Sequence, residues 1–147
     1  MYKHILVATD GSKLSDIACT KAIDLALQLG SDLTIVNIIP QLKHSLFEGT
    51  ISIPSQQKEE LKKKIQASAD TVVLNAQKHS EKAGLHAKTM VVKSSVVSEG
   101  LIKTAISKKA DLIVMASHGR NGINRLLLGS ETLQVLTHSK IDVLVLR

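Results

Sequence analysis

The feature that most restricts what this chain can fold into is an alternation. Short, unbroken apolar runs of strand length recur along its 147 residues, and stretches with apolar positions at helical spacing separate them. The runs are His4 to Thr9 (HILVAT), Leu33 to Ile39 (LTIVNII), His86 to Val92, Asp111 to Ala116 (DLIVMA) and Ile141 to Leu146 (IDVLVL). Runs without polar alternation predict strands buried on both faces, as in parallel sheets. Between the first two, Ser12 is expected to cap a helix whose Leu14, Ile17, Ala18, Ala22, Leu25, Ala26 and Leu29 face inward, with Gly30 ending it. Lys58 to Lys82 predicts a long amphipathic helix with Leu61, Ile65, Val72, Ala76 and Ala83 on its apolar side, stopping at Gly84; its KEELKKK run reads as a solvated face. Further helices are expected over Val97 to Lys108, with Leu101, Ile102, Ala105 and Ile106 inward, and over Ser130 to Ser139. Gln41 to Gln57 shows no sustained period, contains Gly49 and Pro54, and reads as a mobile surface loop. Strands alternating with helices imply right-handed crossovers. The expected fold is therefore α/β: a doubly wound five-stranded parallel sheet with helices on both faces, forming one domain over residues 1–147, and strand order 3-2-1-4-5 is taken as a hypothesis.

Composition narrows the function classes. No run approaches the eighteen or so apolar residues that span a bilayer, and MYKHILVATDG lacks the features of a secretory signal, so no membrane role is expected and the cytoplasm is the expected compartment. A single cysteine, Cys19, excludes an intrachain disulfide and a cysteine-cluster zinc site. Nineteen Lys and Arg against thirteen Asp and Glu give a formal charge of +6, a field that attracts anions such as nucleotides, RNA or acidic partners. With only Tyr2 and Phe47 as aromatics, the stacking platforms of single-strand nucleic-acid sites are missing, which disfavours nucleic acid.

In a doubly wound sheet, ligands bind outside the C-terminal strand ends where connections leave toward opposite faces. With strands one and four adjacent, two loops face each other there: Thr9-Asp10-Gly11-Ser12, and Ala116 to Thr132. In the second, Gly119 and Gly129 lack a Cβ, so the backbone can take positive φ and approach a phosphate, and Gly129-Ser130 opens a helix whose unpaired N–H groups point at an anion. Ser130 and Thr132 add hydroxyls. Arg120 and Arg125 either neutralise phosphate or face solvent, and the whole stretch also reads as a Gly-punctuated turn with a Ser cap.

Ala116-x-x-Gly119, nine residues, then Gly129-Ser130 resembles the nucleotide-binding signature of the universal stress protein family, Gly-x-x-Gly, nine residues, Gly-Ser or Gly-Thr. The segments ILVATDGS (5–12), DLIVMASHG (111–119) and IDVLVLR (141–147) are similar to that family too, so the resemblance covers essentially the whole chain. It implies a doubly wound sheet, homodimers joined through the last strand, and, with Gly119, Gly129 and Ser130 retained, the branch that binds ATP. Ala116 departs from the signature's first Gly; its methyl group fits if φ is negative there and crowds a ribose if φ is positive. Position by position, the resemblance implies that Ala8, Thr9 and Asp10 contact adenine and ribose, that Ile38 lines the base pocket, and that Met115 and Ala116 border the ribose. Gly119, Gly129, Ser130, Glu131 and Thr132 would hold phosphates, mainly through backbone N–H groups, hydroxyls and the helix N-terminus. Asp10 suits ribose hydroxyls or a phosphate-bound Mg²⁺ or Mn²⁺; it could instead cap the first helix or pair with a lysine.

Neither a Gly-x-x-x-x-Gly-Lys-Ser/Thr phosphate loop nor a Gly-x-Gly-x-x-Gly fingerprint is present, and the six histidines show no paired metal-ligand spacing. His118 lies in the second loop without a partnered nucleophile, so no catalytic residue is assigned. Three readings remain open: a stress-response regulatory protein that binds ATP, or AMP or ADP, and switches with occupancy of the loop from Ser117 to Gly129; a slow Mg-dependent ATPase or phosphate-transfer enzyme using Asp10 and His118; and a ligand-free dimeric interaction module. The protein partner of such a switch is not specified by the sequence.

Overall fold

A computed structural model describes residues 1–41, 53–120 and 128–147 of the chain. In chain order the elements are β1 (His4–Ala8), α1 (Lys13–Leu29), β2 (Asp32–Pro40), α2 (Ser55–Lys82), β3 (Lys88–Ser94), α3 (Val97–Ser107), β4 (Leu112–Ala116), α4 (Ser130–His138) and β5 (Asp142–Leu146). The strands form one sheet in the order β3-β2-β1-β4-β5, every neighbouring pair parallel. Ile5 of β1 is flanked by Leu33 on one side and Leu112 on the other. The unbroken apolar runs have their expected cause: all five residues of β4 are buried, as are the three central residues of β1.

Each face of the sheet builds its own core. On one face Ile5, Val7, Leu33, Ile35, Leu112 and Val114 meet Ala18, Cys19, Ala22, Ile23 and Ala26 of α1, with α2 alongside. On the other, Leu6, Val36, Ile113 and Met115 meet Leu101 and Ala105 of α3 and Val135 of α4. Burial pushes the Cys19 thiol up to about 12, so it stays protonated as a packing group. Among the described residues no helix is long and apolar enough to cross a membrane.

The caps of α1 follow the sequence. Ser12 accepts a hydrogen bond from the Ser15 amide, and Gly30 adopts the left-handed conformation, φ 66°, with its N–H on the Ala26 carbonyl. Several inward assignments need correction. Ile17 is 50% exposed, Leu61 42% and Ile106 62%. At 1.5 Å per residue the 28-residue α2 is about 42 Å long, whereas the nine-residue β2 spans only about 30 Å. The first turns of α2 therefore overhang the sheet, and its buried residues are Ala69, Val73 and Ser80. Ile106 follows Ala105 by 100° of helical turn, which carries it off the stripe that Leu101 and Ala105 bury. The segment expected as a loop ends sooner than its pattern suggests, because α2 begins at Ser55; residues 42–52 lie outside the described residues. β3 begins two residues later than its apolar run, at Lys88.

Candidate functional site

β1 ends at Ala8, and the chain leaves the sheet through Thr9-Asp10-Gly11-Ser12. Thr9 is buried: its N–H donates to the Val36 carbonyl at 2.9 Å and its hydroxyl lies 3.1 Å from that of Ser15. Gly11 takes φ +76°, and a Cβ there would approach Val72 Cγ2 to 2.8 Å, so this turn needs glycine for both conformation and space. Asp10 Oδ1 accepts from the Ser12 amide at 2.9 Å, and Oδ2 accepts from the Arg120 amide, also at 2.9 Å. One carboxylate thus ties the loop after β1 to the loop after β4, 110 positions along the chain. Burial favours the protonated acid, but hydrogen bonds from Ser12, Ser15 and the Arg120 amide outweigh it and hold the Asp10 carboxyl below the usual carboxylate range.

The second loop is held as tightly. Ser117 donates its N–H to Leu146 of β5, and its carbonyl accepts both the Gly129 amide at 2.8 Å and the Thr132 hydroxyl at 3.1 Å. The Thr132 hydroxyl also lies 3.1 Å from the Ala116 carbonyl. That hydroxyl is committed to the protein, so Thr132 can offer an anion only its backbone N–H. Gly129 stands at the N-cap of α4 with no side chain to cap it, and the first-turn amides of Ser130, Glu131 and Thr132 find no backbone acceptor among the described residues. This start of a nine-residue helix carries the partial positive charge of its dipole.

Neither Gly119 nor Gly129 works through positive φ. Gly129 has φ −61° and ψ 151°, and among the described residues the positive-φ glycines are Gly11, Gly30 and Gly84. Space is the reason instead. A Cβ on Gly119 would lie 2.8 Å from Asp10 Oδ2, and one on Gly129 would lie 3.1 Å from the Ser117 carbonyl oxygen. Ala116 is the last residue of β4, paired with Leu146, and Lys109 is the sole non-glycine residue with positive φ among those described. The alanine methyl is therefore borne by ordinary extended backbone.

These two loops enclose a cavity of about 580 Å³, inside the range of roughly 300–1,000 Å³ of small-molecule sites. Ala8, Thr9 and Asp10 border it from β1, Ile38 from β2, and Met115 and Ala116 from β4. Gly119 and Arg120 come from the second loop, and Gly129, Ser130, Glu131 and Thr132 from the start of α4, so all twelve residues expected at a site share one cavity. Arg125 lies outside the described residues. Ser15, Asn37, Val97, Leu101 and Val135 also line it, without having been singled out from the sequence. Of these, Leu101 reads as inward on its helix, and Leu101 and Val135 are also core residues; Asn37 left a signal, as the one amide inside the run LTIVNII.

Glu131 has a second occupation. Its Oε2 accepts from the Ser98 amide at 2.8 Å, at the start of α3, whose N-cap Val96 has no side-chain hydrogen bond of its own. The carboxylate caps a neighbouring helix, which leaves its backbone N–H as its means of meeting a phosphate. Glu131→Ala is expected to cost about 1 kcal/mol of stability, read by urea unfolding. His118 Nδ1 lies 2.9 Å from the Ser117 hydroxyl, while Nε2 is buried without a hydrogen-bond partner among the described residues. No group of three or more metal-ligating side chains occurs among the described residues. Asp10 already accepts an amide on each oxygen, but each keeps a second lone pair, which suits an ion held chiefly by phosphates and water.

Comparison with known proteins agrees with this architecture. The model of the universal stress protein family matches residues 1–147. The universal stress protein MJ0577 of Methanocaldococcus jannaschii is 28% identical over 156 aligned positions, covering 100% of this chain and 96% of its own, and its solved structure superposes with a TM-score of 0.81. A putative universal stress protein of Staphylococcus saprophyticus is 32% identical over 99% of this chain and 84% of its own length. A solved universal stress protein in complex with cAMP is 26% identical, covers 99% of this chain and 97% of its own, and has a TM-score of 0.73. With the signature positions gathered at one cavity and the family pattern matched from end to end, the chain belongs to the universal stress protein family.

Proposed function

We propose that this chain is a regulatory module of the stress response that binds an adenine nucleotide, ATP foremost and AMP or ADP on the same contacts, and acts as a nucleotide-dependent switch rather than a fast enzyme. The observation that carries this reading is the hydrogen bond from the Arg120 amide to Asp10. It holds the glycine loop and the uncapped start of α4 against the loop after β1, so that one cavity has a cationic helix terminus at one side and apolar walls from Ile38, Leu101 and Met115. Backbone amides of Gly119, Ser130, Glu131 and Thr132 would take the phosphates, assisted by Arg120, and Asp10 would face the ribose or a phosphate-bound Mg²⁺ or Mn²⁺. A solved relative that binds cAMP supports the ligand class. Extended backbone at Ala116 supports this reading over a ligand-free module, because the alanine methyl is accommodated without positive φ. Homodimerisation is proposed through β5, the sheet edge where Leu144 is 38% exposed.

Isothermal titration calorimetry of nucleotide-stripped protein with ATP, adenosine and inorganic triphosphate tests the reading. ATP is expected to bind more tightly than either fragment, because the apolar and cationic ends act together. Absence of heat with millimolar ATP contradicts it.

A further inference from the structure

We propose that the side-chain amide of Asn37 reads the base of the bound nucleotide and selects adenine over guanine. The inference rests on the nucleotide reading above and extends it to a residue outside the glycine signature. Asn37 interrupts the apolar run of β2, is only 6% exposed, and its side chain makes no hydrogen bond among the described residues. The amide is not sealed in the core: the buried side-chain polar atom without a partner among the described residues is His118 Nε2, so the Asn37 amide keeps access to open space, and its location says where. Ala8 is in register with Val36, so Asn37 and Ile38 stand just past the end of β1, and both line the cavity.

The neighbouring polar groups are already committed. The Thr9 hydroxyl is taken by Ser15, Asp10 by the Ser12 and Arg120 amides, and the Thr132 hydroxyl by the Ala116 and Ser117 carbonyls. With the phosphates drawn to the start of α4, the base falls to the β2 side, where the Asn37 amide is an uncommitted donor and acceptor. An asparagine amide matches adenine bidentately, its carbonyl accepting from the exocyclic N6 amino group while its NH₂ donates to a ring nitrogen. Guanine presents two acceptors, O6 and N7, along the corresponding edge, so the amide carbonyl would face a lone pair.

The test uses the full chain, stripped of nucleotide, with calorimetric titration of ATP and GTP and thermal unfolding of each variant. Wild type is expected to bind ATP at least about tenfold more tightly than GTP. Asn37→Leu, branched at Cγ like asparagine but apolar, is expected to weaken ATP about tenfold, leave GTP unchanged, and leave the melting temperature largely unchanged, since the amide makes no hydrogen bond within the fold among the described residues. Asn37→Ala is expected to lose the same selectivity and serves if the leucine variant folds poorly. An unchanged ATP-to-GTP ratio in both variants overturns the assignment while leaving the nucleotide site intact. Equal weakening of both nucleotides with a lowered melting temperature also overturns it, because it marks Asn37 as structural. Wild type binding neither nucleotide overturns the nucleotide reading itself, and with it this one.

Discussion

Gly129→Val is expected to lower ATP affinity by at least about 100-fold while leaving the far-ultraviolet circular dichroism unchanged, as measured by calorimetry and spectroscopy on the same preparation. The magnitude follows from losing two charge-assisted hydrogen bonds, each worth about 1.5–3 kcal/mol. At φ −61° and ψ 151° the backbone conformation of residue 129 suits any residue, so the disturbance is steric and confined to the start of α4. The new Cβ, however, would lie 3.1 Å from the Ser117 carbonyl oxygen that receives the Gly129 amide, and the valine methyl groups would stand over the first-turn amides of α4. Retention of wild-type affinity would place the phosphates elsewhere.

Asp10→Ala is expected to act on stability and binding together. It strips the acceptor from the Ser12 and Arg120 amides, which costs about 1–3 kcal/mol at neutral pH, and releases the glycine loop from the loop after β1. Nucleotide affinity should fall with it, since the two walls of the cavity lose their tie. The pH dependence has a definite sign. The folded carboxyl titrates below its unfolded value of about 4, so its contribution is complete above that value and is lost as pH falls through the lower, folded one. The stability gap between wild type and Asp10→Ala, followed by urea unfolding, should therefore be widest near neutrality and narrow in acid. A gap that persists unchanged in strong acid would mean that the ionised carboxylate is not what holds the loops.

Much of this molecule was legible in its residues, for identifiable reasons. Strands buried on both faces write continuous apolar runs, and α1 carries its own start and stop in Ser12 and Gly30, so the elements and their order along the chain followed from local pattern, while the strand order, entered as a hypothesis, is the one observed. What pattern does not carry is length matching between elements: nothing in the period of α2 says that Leu61 lies on the part of the helix that overhangs the sheet. The glycines were recognisable as special, but for a conformational reason that does not hold. Gly119 and Gly129 are required by close approach to Asp10, far away in sequence, and to the Ser117 carbonyl at the other end of the same loop, contacts that no local pattern records. Glu131 misleads in the same way, since its partner, the Ser98 amide, is 33 residues away. Polar commitments of this kind become visible only once the loops are brought together.

The central claim is that the backbone amides at the start of α4 and at Gly119 form the anion cradle of an adenine-nucleotide site. Titrating ¹⁵N-labelled protein with ATP while following amide resonances tests it most directly. The largest shifts are expected at Gly119, Gly129, Ser130, Glu131 and Thr132, with Asn37 and Ile38 responding and Lys109, at the opposite end of the sheet, unmoved. Shifts concentrated around Lys109 and the other strand N-termini, with the Gly129 and Ser130 amides silent, would contradict it.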